Sequence, residues 1–379
     1  MNKTWPTKKL SDVCNLERGT EPGSAFYVKT SDKATPFFRV GDLTGKVDAP
    51  RFVKNDNGNL QIINENETLI TFDGTPGIVV RGFKGAIASG IRVVRNIKPE
   101  IDRNFLFYYL QTPGVKKTIK AYSKGATIIH ASSAIQHIKI SLPSLATQKQ
   151  IVGRLDKIVE AQKLNDELIQ KANELFQSLL HEELNPTGKD WGVKKLGEVL
   201  KPQYGYTTAA KETGNYRFIR ITDIGDDGEL RDSDKKYVTL SQNEAKNYQL
   251  QNGDLLLART GATFGKILYF KENESSIFAS FLIRLNPDTS VDPFYIWLFS
   301  RSQNYWQQAK SLMTGSGQPQ FNANKLKQIK IPFPPLKIQK QIVAKLSAVQ
   351  EYKKQLLEQK SKLKELFGSV LAKSLSGDL

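Results

Sequence analysis

Arginine, threonine, histidine and amide side chains recur on short glycine-containing loops of this sequence. Three such loops lie in the first half, at Arg18-Gly19-Thr20, Asp73-Gly74-Thr75 and Lys124-Gly125-Ala126-Thr127, the last with His130 close by. In the major groove of DNA, Arg and Lys pair with guanine, Asn and Gln pair with adenine, and Thr contacts bases through its methyl or hydroxyl group. Loops of this composition indicate base contacts, although for any single residue a simple turn is an equally good interpretation.

Corresponding loops lie in the second half, at 204–208, 259–266 and 315–322. Basic residues nearby, including Arg92 and Arg284, are candidates for phosphate contacts, which position a protein without specifying sequence, or are strand-surface residues. The full set of candidate DNA-binding residues is Arg18, Thr20, Thr75, Lys84, Lys124, Thr127, His130, Tyr206, Thr207, Thr208, Arg220, Arg259, Thr260, Thr263, Lys266, Ser316, Gln318, Gln320 and Asn322.

Motifs for catalysis are absent from the sequence. It contains no G-x-x-x-x-G-K-[ST], H-E-x-x-H, G-x-S-x-G or C-x-x-C, so P-loop, zincin, serine-hydrolase and thiol-redox sites are not expected. Its three histidines, His130, His137 and His181, offer no zinc-ligand cluster. The acidic stretch from Asp223 to Asp234 would suit a metal, but its IGDDGEL core favours a glycine turn between strands. We therefore expect no enzyme activity, catalytic residue, metal or cofactor on this chain.

One segment resembles a methyltransferase motif. Asp292-Pro293-Phe294-Tyr295 is close to the D-P-P-Y of amino-methyltransferases, but its second proline is missing and no glycine-rich strand–turn–helix precedes it. An Asp N-cap followed by Pro at the first position of a helix accounts for the same residues.

Composition indicates an acidic partner and a reducing compartment. The 379 residues carry a net charge of +17, for which nucleic acid is the commonest target, ahead of an anionic membrane or an acidic protein. No run of 18 apolar residues occurs, MNKTWPTKKLSD lacks the apolar core of a secretory signal, and Cys14 has no partner for a disulfide. We expect a cytoplasmic protein without a membrane span.

The sequence repeats itself once. WPTKKLSDV at Trp5 returns as WGVKKLGEV at Trp191, and FFRVGDL at Phe37 returns as FIRITDI at Phe218. HIKISLPSLATQKQIVGRL from His137 matches QIKIPFPPLKIQKQIVAKL at an offset of 191, which continues without a gap to the end of the repeat. Ordered matches of this kind indicate two copies of one structural unit.

Each copy has the same predicted plan. Short β-rich runs with Gly, Asn, Asp and Pro turns come first, then an aromatic helix (Asn104–Gln111 or Pro293–Ser300), then a proline stop and a long helix. The predicted boundaries are a first domain over 1–147, a central helix over 148–184, a connecting turn over 185–190, a second domain over 191–335 and a C-terminal helix over 336–379.

The two long helices carry apolar residues at alternating steps of four and three. In the first helix these run from Ile151 to Leu179, and in the second from Ile342 to Val370. Such a repeat predicts a coiled-coil seam, antiparallel because a complete domain separates the helices in the chain. Their net charges, −2 over 148–184 and +5 over 337–379, favour this pairing. The polar seam residues Gln162, Asn165, Lys353 and Lys360 either fix the register or face solvent.

Two variable domains, each followed by a near-duplicate helix, resemble the specificity subunits of type I restriction–modification systems. The resemblance is carried by LPSLATQKQIVGRLDKI and PPLKIQKQIVAKLSAV, with NYRFIRITDI and LLLARTGATFGK, and covers the whole chain. It implies an α+β fold of two tandem α/β target-recognition domains, related by a pseudo-two-fold repeat, with an antiparallel coiled coil.

The same resemblance implies partners and a division of labour. Each domain would read one half of a split site in double-stranded DNA, and the helices, about 55 Å long, would set an unread spacer of at most roughly 16 bp. Two methyltransferase subunits and restriction or translocase subunits would use S-adenosylmethionine, ATP and Mg²⁺, while this chain holds no cofactor. The alternative is a protein-binding adaptor of a DNA-modification complex, without direct base readout.

Overall fold

The computed structural model of the chain describes residues 5–29, 34–45, 51–54, 59–126, 129–315 and 319–376. Contacts between Cα atoms divide the chain into two compact units. Unit 1 comprises Met1–Asp166 with Glu358–Leu379, and unit 2 comprises Glu167–Leu357. Both boundaries fall inside the long helices, so each unit contains one recognition domain and parts of both helices.

Unit 1 contains eleven strands within its described residues. They are β1 (Thr7–Lys9), β2 (Asn15–Arg18), β3 (Tyr27–Val28), β4 (Ala34–Phe38), β5 (Arg51–Lys54), β6 (Ile62–Ile63), β7 (Leu69–Thr71), β8 (Val79–Val80), β9 (Gly85–Ile87), β10 (Ile91–Arg95) and β11 (Lys139–Ser141). Its helices are α1 (Arg103–Leu110), α2 (Pro113–Ala121) and the start of α3 (Leu145–Glu183).

Two larger sheets form the frame of unit 1. One is four-stranded in the order β2-β10-β7-β8, and the other is five-stranded in the order β3-β5-β4-β9-β6, with β4 and β9 parallel. The β-branched and leucine runs of β7 and β10 are buried on both faces, which fits their near-continuous apolar sequence. The short pair β1-β11 joins the beginning of the domain to the residues before α3.

Unit 2 repeats this frame. Its strands are β12 (Gly192–Lys195), β13 (Leu200–Tyr204), β14 (Tyr216–Ile219), β15 (Tyr237–Val238), β16 (Leu255–Ala258), β17 (Ile267–Tyr269), β18 (Ser276–Phe278), β19 (Leu282–Pro287) and β20 (Lys330–Phe333). Its helices are α4 (Leu196–Val199), α5 (Gln242–Ala245), α6 (Pro293–Ser300), α7 (Gln303–Leu312), α8 (Ala323–Leu326) and the first part of α9 (Leu336–Ser376).

The sheets of unit 2 match those of unit 1 strand for strand at the centre. The four-stranded sheet β13-β19-β16-β17 has the same order of antiparallel pairings as β2-β10-β7-β8, and β14 and β18 are parallel as β4 and β9 are. The predicted strand runs therefore form strands in both copies, with ends that differ by a few residues. The predicted internal repeat is a repeat of structure.

The aromatic helices α1 and α6 begin with an aspartate N-cap in both copies. The carboxylate of Asp102 accepts hydrogen bonds from the backbone of Asn104 and Phe105, and that of Asp292 accepts from Phe294 and Tyr295. Pro293 occupies the first turn of α6. The resemblance of this segment to a methyltransferase motif is therefore explained by helix capping, as predicted.

The acidic stretch of unit 2 forms the predicted glycine turn. Ile224 and Leu230 pair as an isolated antiparallel bridge, and Gly228 between them has a φ of 74°, which favours glycine. Arg220 and Lys266 neutralise three of its carboxylates, at Asp223, Asp234 and Asp226.

The long helices α3 and α9 have the predicted seam. All nine predicted seam positions of α3, from Ile151 to Leu179, are buried or half-buried. Eight of the nine in α9 are as well, while Lys360 is exposed. In unit 1, Gln162 donates to the carbonyl of Leu363 at 3.2 Å, and Asp166 pairs with Lys360 at 2.8 Å. Residue numbers therefore increase along α3 in the direction in which they decrease along α9. The two helices pack antiparallel.

Polar seam residues contribute to this pairing. Gln162 binds the backbone of α9 through its amide, and Asn165 is 2% exposed. In unit 2, Lys345 of α9 pairs with Glu183 of α3, consistent with the opposite charges of the helices. Such exposed ion pairs add at most about 1 kcal/mol each, so the apolar seam supplies most of the stability and the polar contacts favour one register.

A buried glutamine at the start of each long helix explains part of the repeated QKQIV signature. Gln148 is fully buried, accepts a hydrogen bond from the backbone of Asp102 at 2.9 Å and donates to the carbonyls of Glu100 and Pro143. Gln339 makes the same three contacts in unit 2, with Asp292, Ser290 and Pro334. The first glutamine of the signature therefore fastens each long helix to its own domain.

Within the described residues, no helix combines the length and apolar character needed to cross a bilayer.

Candidate nucleic-acid interface

In unit 1, the structure brings two of the predicted DNA-binding residues, His130 and Arg18, to one carboxylate. Asp73 is 9% exposed, and its Oδ1 lies 2.9 Å from Nδ1 of His130. Its Oδ2 lies 3.9 Å from the guanidinium of Arg18. The His130 and Arg18 side chains are 64% and 61% exposed, so a buried acid orients two exposed donors. Backbone bridges join His130 to both Asp73 and Lys124.

The same arrangement recurs in unit 2 with different side chains. Backbone bridges join Gln320 to both Thr260 and Thr314, and Nε2 of Gln320 donates to the hydroxyl of Thr260 at 3.1 Å. Thr260 is buried and Gln320 is exposed, as Asp73 and His130 are. The structure therefore pairs Asp73 with Thr260 and His130 with Gln320 as equivalent positions. We call these two groups, with their adjoining loops, the reading clusters of units 1 and 2.

In each unit, a glycine allows the loop after the first strand of the four-stranded sheet to pass close to another backbone segment. A Cβ atom on Gly19 would lie 2.2 Å from the carbonyl oxygen of Ala88, and one on Gly205 would lie 2.3 Å from that of Ala279. Only glycine fits so close to another backbone segment. The predicted loops that follow β2 and β13 are thus held by the same contact in the two copies.

Two aromatic residues near the unit 2 cluster were not among the candidates. The rings of Tyr204 and Phe281 are 45% and 51% exposed, and the guanidinium carbon of Arg259 lies 5.3 Å and 5.4 Å from their centroids. Tyr204 belongs to one of the predicted loops. Phe281 directly precedes β19 and is far from Tyr204 in the sequence. The available signal was an aromatic residue at the start of a predicted strand, Phe281–Leu285, which is equally typical of a core position.

Several other candidates hold the domain together through their side chains. The Thr20 hydroxyl donates to Asn59 and accepts from the backbone of Gln61. Asn322 caps α8, and Tyr206 packs against Tyr248 with ring centroids 5.2 Å apart. Contacts between these residues and DNA remain predictions. Any such contact would use atoms that are not engaged in these hydrogen bonds and ring contacts.

Arg220 and Lys266 are ion-paired within unit 2. Arg220 binds Asp223 at 2.8 Å, which raises the pKa of its guanidinium. Lys266 binds Asp226, and this contact lowers the pKa of that carboxyl. A DNA phosphate would have to compete with these carboxylates, so both residues are weaker candidates than Arg18.

Arg92 and Arg284 are internal residues. Arg92 is 5% exposed and donates to the carbonyl of Ser89 and the hydroxyl of Ser132. Arg284 donates to Gln203 and pairs with Asp254 at 3.3 Å. The sequence left two interpretations for these residues, a phosphate contact or a position on the strands. The structure favours the position on the strands, because both guanidinium groups are engaged within the domain.

Most of the remaining candidates are exposed, one is half-buried and three lie outside the described residues. Thr75, Lys84, Lys124, Thr207 and Thr208 are exposed. The hydroxyl of Thr263 is buried and has no hydrogen-bond partner among the described residues. Thr127, Ser316 and Gln318 lie outside the described residues.

The chain contains two α+β domains with the same strand arrangement. Each domain carries a reading cluster and is followed by a long helix, which defines a recognition protein with two binding domains. A family model described as the type I restriction modification DNA specificity domain matches the chain twice, over residues 2–174 and 188–365. The chain belongs to this family.

Curated relatives and solved structures agree with this assignment. The chain is 26% identical to the type I restriction enzyme MjaVIII specificity subunit of Methanocaldococcus jannaschii, over 95% of this chain and 88% of the relative. It is 25% identical to the StySPI specificity subunit of Salmonella potsdam, over 99% and 89%.

Among solved structures, a chain from a study of type I R-M assembly and conformational transition has a TM-score of 0.65 at 19% identity, covering 100% of this chain and 99% of the other. The S subunit from M. genitalium has a TM-score of 0.59 at 15% identity, covering 99% and 97%. These two likenesses show the fold. With the family match, they identify a specificity subunit with two target-recognition domains, a DNA-recognition protein rather than a catalytic one.

Proposed function

We propose that this chain recognises a bipartite target in double-stranded DNA, with the reading cluster of unit 1 on one half-site and that of unit 2 on the other. The proposal rests on one observation: the two domains share the same strand arrangement but carry different side chains at equivalent positions. Asp73 and His130 in one copy stand where Thr260 and Gln320 stand in the other. Different donors and acceptors in equivalent places are what two unlike half-sites require.

The charge distribution supports DNA as the ligand. The net charge of +17 favours a polyanion. Arg18, Lys84, Lys124 and His130 add exposed basic groups on or near the loops of unit 1. Phosphate contacts from such residues would place the protein on the duplex, and the clusters would then read base edges.

The long helices would act as a spacer ruler and as a dock for other subunits. At 1.5 Å per residue, the 39 residues of α3 span about 58 Å. The same exposed pair of residues lies near the start of both helices, as Lys149-Gln150 in α3 and Lys340-Gln341 in α9. Two identical exposed surfaces suit two copies of one partner, and the family implies that this partner is a methyltransferase subunit.

The chemistry would reside on the partners, in the cytoplasm. Methyltransferase subunits would use S-adenosylmethionine to methylate adenine, and restriction or translocase subunits would use ATP and Mg²⁺. This chain would hold no cofactor and would contribute binding and orientation alone.

Binding of the purified full-length chain to a pool of randomised duplexes tests the proposal. We expect two short enriched motifs separated by a gap of fixed length, and an affinity that falls steeply between 50 and 200 mM salt. A flat salt dependence with no enriched motif would contradict DNA reading. If the isolated chain proves insoluble, the same selection is made with the methyltransferase partner bound.

A domain exchange tests the division of labour. Replacement of residues 1–147 by the equivalent block of a relative should change one motif and leave the other motif and the gap intact. The reciprocal exchange of 191–335 is the matched control and should change only the second motif. If either exchange altered both motifs, the two domains would not read independently.

A further inference from the structure

Arg259 is held in place by the backbone on both sides of it. Its amide donates to the carbonyl of Phe281 at 3.1 Å, and its carbonyl accepts from the amide of Phe321 at 2.7 Å. The guanidinium carbon lies over the exposed rings of both Tyr204 and Phe281, 5.3 Å and 5.4 Å from their centroids. Cation–π contacts with two rings restrict the rotamers of a long side chain.

The guanidinium of Arg259 has no acceptor in the part of the chain that the structure describes. Among the described residues it makes no ion pair and donates no hydrogen bond, and its Nε is buried without a partner. By contrast, Arg217, Arg220 and Arg284 of the same unit pair with Asp232, Asp223 and Asp254. Buried polar groups are nearly always satisfied, so an arginine fixed in this way without an acceptor indicates a ligand from outside the chain.

The neighbours of Arg259 identify what that ligand presents. The next residue, Thr260, belongs to the unit 2 reading cluster and bonds Gln320. Because Nε is buried, the two terminal nitrogens of Arg259 carry the donors that remain for an outside acceptor. Two donors in one plane match the N7 and O6 acceptors that guanine presents in the major groove. They would match two oxygens of a phosphate as well, but the position of Arg259 beside the unit 2 reading cluster favours a base.

We propose that Arg259, positioned by Tyr204 and Phe281, selects one guanine in the half-site bound by unit 2. The inference rests on the proposed function, because it assigns a base to one of the two reading clusters. Tyr204 and Phe281 are positioning residues that hold the guanidinium plane.

The described residues of unit 1 contain no equivalent of this arginine with its two rings. The counterpart of Arg259 is Phe72, which is fully buried and whose backbone makes the same contacts, donating to Gly90 and accepting from Ala131. Gly90 therefore stands in place of Phe281 and offers no ring. Selection of guanine by a clamped arginine is expected in one half-site only.

The test compares the full-length chain with its Arg259→Lys and Arg259→Ala variants. Selection from randomised duplexes first gives the two wild-type motifs. Competition binding then uses the wild-type duplex, duplexes changed at each G·C pair of the unit 2 motif, and a duplex with 7-deazaguanine, which lacks N7. We expect both variants to lose preference at one G·C pair by about 5- to 150-fold.

Arg259→Lys is the matched control for charge. Because Lys lacks the rigid planar fork that can be held against two aromatic rings, it should keep the salt dependence of binding and still lose most of the guanine preference. 7-Deazaguanine at that position should weaken wild-type binding and leave Arg259→Ala unaffected. Phe281→Ala should weaken the preference less than Arg259→Ala does, and Phe281→Tyr should retain it.

The unit 1 motif serves as an internal measure of folding, since it should stay unchanged in every variant. If both Arg259 variants select the wild-type unit 2 motif with undiminished strength, the assignment of guanine to Arg259 is wrong while DNA reading stands. If the wild-type chain selects no motif at all, the failure lies in the proposed function itself.

Discussion

Nδ1 of His130 lies 2.9 Å from the buried Oδ1 of Asp73, and in the second copy Nε2 of Gln320 lies 3.1 Å from the hydroxyl of Thr260. In both copies a buried residue after a central strand holds an exposed residue from a loop more than 50 positions later. The frame is the same, but the groups offered to a ligand differ.

Asp73→Asn should weaken base selection by unit 1. The amide removes the charge that attracts Arg18, and it is a poorer hydrogen-bond acceptor for Arg18 and His130. Because both partners are largely exposed, the loss should be modest, about 1 kcal/mol or about fivefold in preference. Competition binding on duplexes varied in the unit 1 motif measures it.

Glu100→Gln is the control for Asp73→Asn. Glu100 is an exposed acid of the same unit that pairs with Lys8, and its loss should leave both motifs unchanged. A matching loss in the two variants would mean that general charge, and not the Asp73 contacts, is responsible.

The double substitution Thr260→Asp with Gln320→His should change the unit 2 motif and leave that of unit 1 intact. It places the unit 1 pair on the equivalent backbone positions, which bridge in the same pattern. Selection from randomised duplexes reports the outcome. An unchanged unit 2 motif, in a variant that melts as the wild type does, would exclude these positions from base reading.

The repeat, the long helices and the seam could be predicted because each depends on local pattern. The four-and-three spacing from Ile151 to Leu179 needs only the helical period, and it matches the buried positions of α3. The clamp around Arg259 could not be predicted, because Tyr204 and Phe281 come from separate strands that meet only in the folded sheet. The same reason hid the orienting role of Asp73, which the sequence shows merely as a turn residue.

The repeated QKQIV signature also shows how a pattern can have two causes. Near-identical sequence in two helices would suit surfaces for common partners. Gln148 and Gln339 are instead buried and fasten their own domains, so the repetition there has an internal cause. The exposed Lys149-Gln150 and Lys340-Gln341 pairs remain available for partners.

Gln148→Ala should destabilise the protein, because it leaves the amide of Asp102 and the carbonyls of Glu100 and Pro143 without a partner. Each buried unsatisfied group costs about 1–3 kcal/mol, and relaxation should keep the total near the cost of one or two groups. Urea unfolding measures the change. Gln150→Ala, an exposed glutamine two residues later, should stay within about 0.5 kcal/mol of wild type. Equal stability of the two variants would contradict the fastening role.

Cys14 should resist thiol reagents in the folded protein. Its side chain is 4% exposed, and burial raises the pKa of the thiol to about 12 from an ordinary value of 9.0. The folded thiol therefore stays protonated at pH 8–9, while the unfolded thiol ionises as the pH passes 9.0. Its contribution to stability is present below pH 9.0 and is lost as the pH rises towards 12. Labelling with a thiol reagent at pH 8 should be slow natively and fast in urea, and rapid native labelling would contradict the burial.

Lengthening both long helices by one heptad should widen the DNA spacer. Seven residues inserted after Asp166 in α3 and seven before Lys360 in α9 keep the seam in phase and extend each helix at a level where the two helices are paired. The added length is about 10 Å, or about three base pairs. Selection from randomised duplexes should return both motifs unchanged, with a gap larger by about three. The matched control is a heptad inserted in α3 alone, which breaks the pairing of Gln162 with α9 and should weaken binding without defining a new gap. A gap that stayed constant in the doubly lengthened chain would show that the helices do not set the spacer.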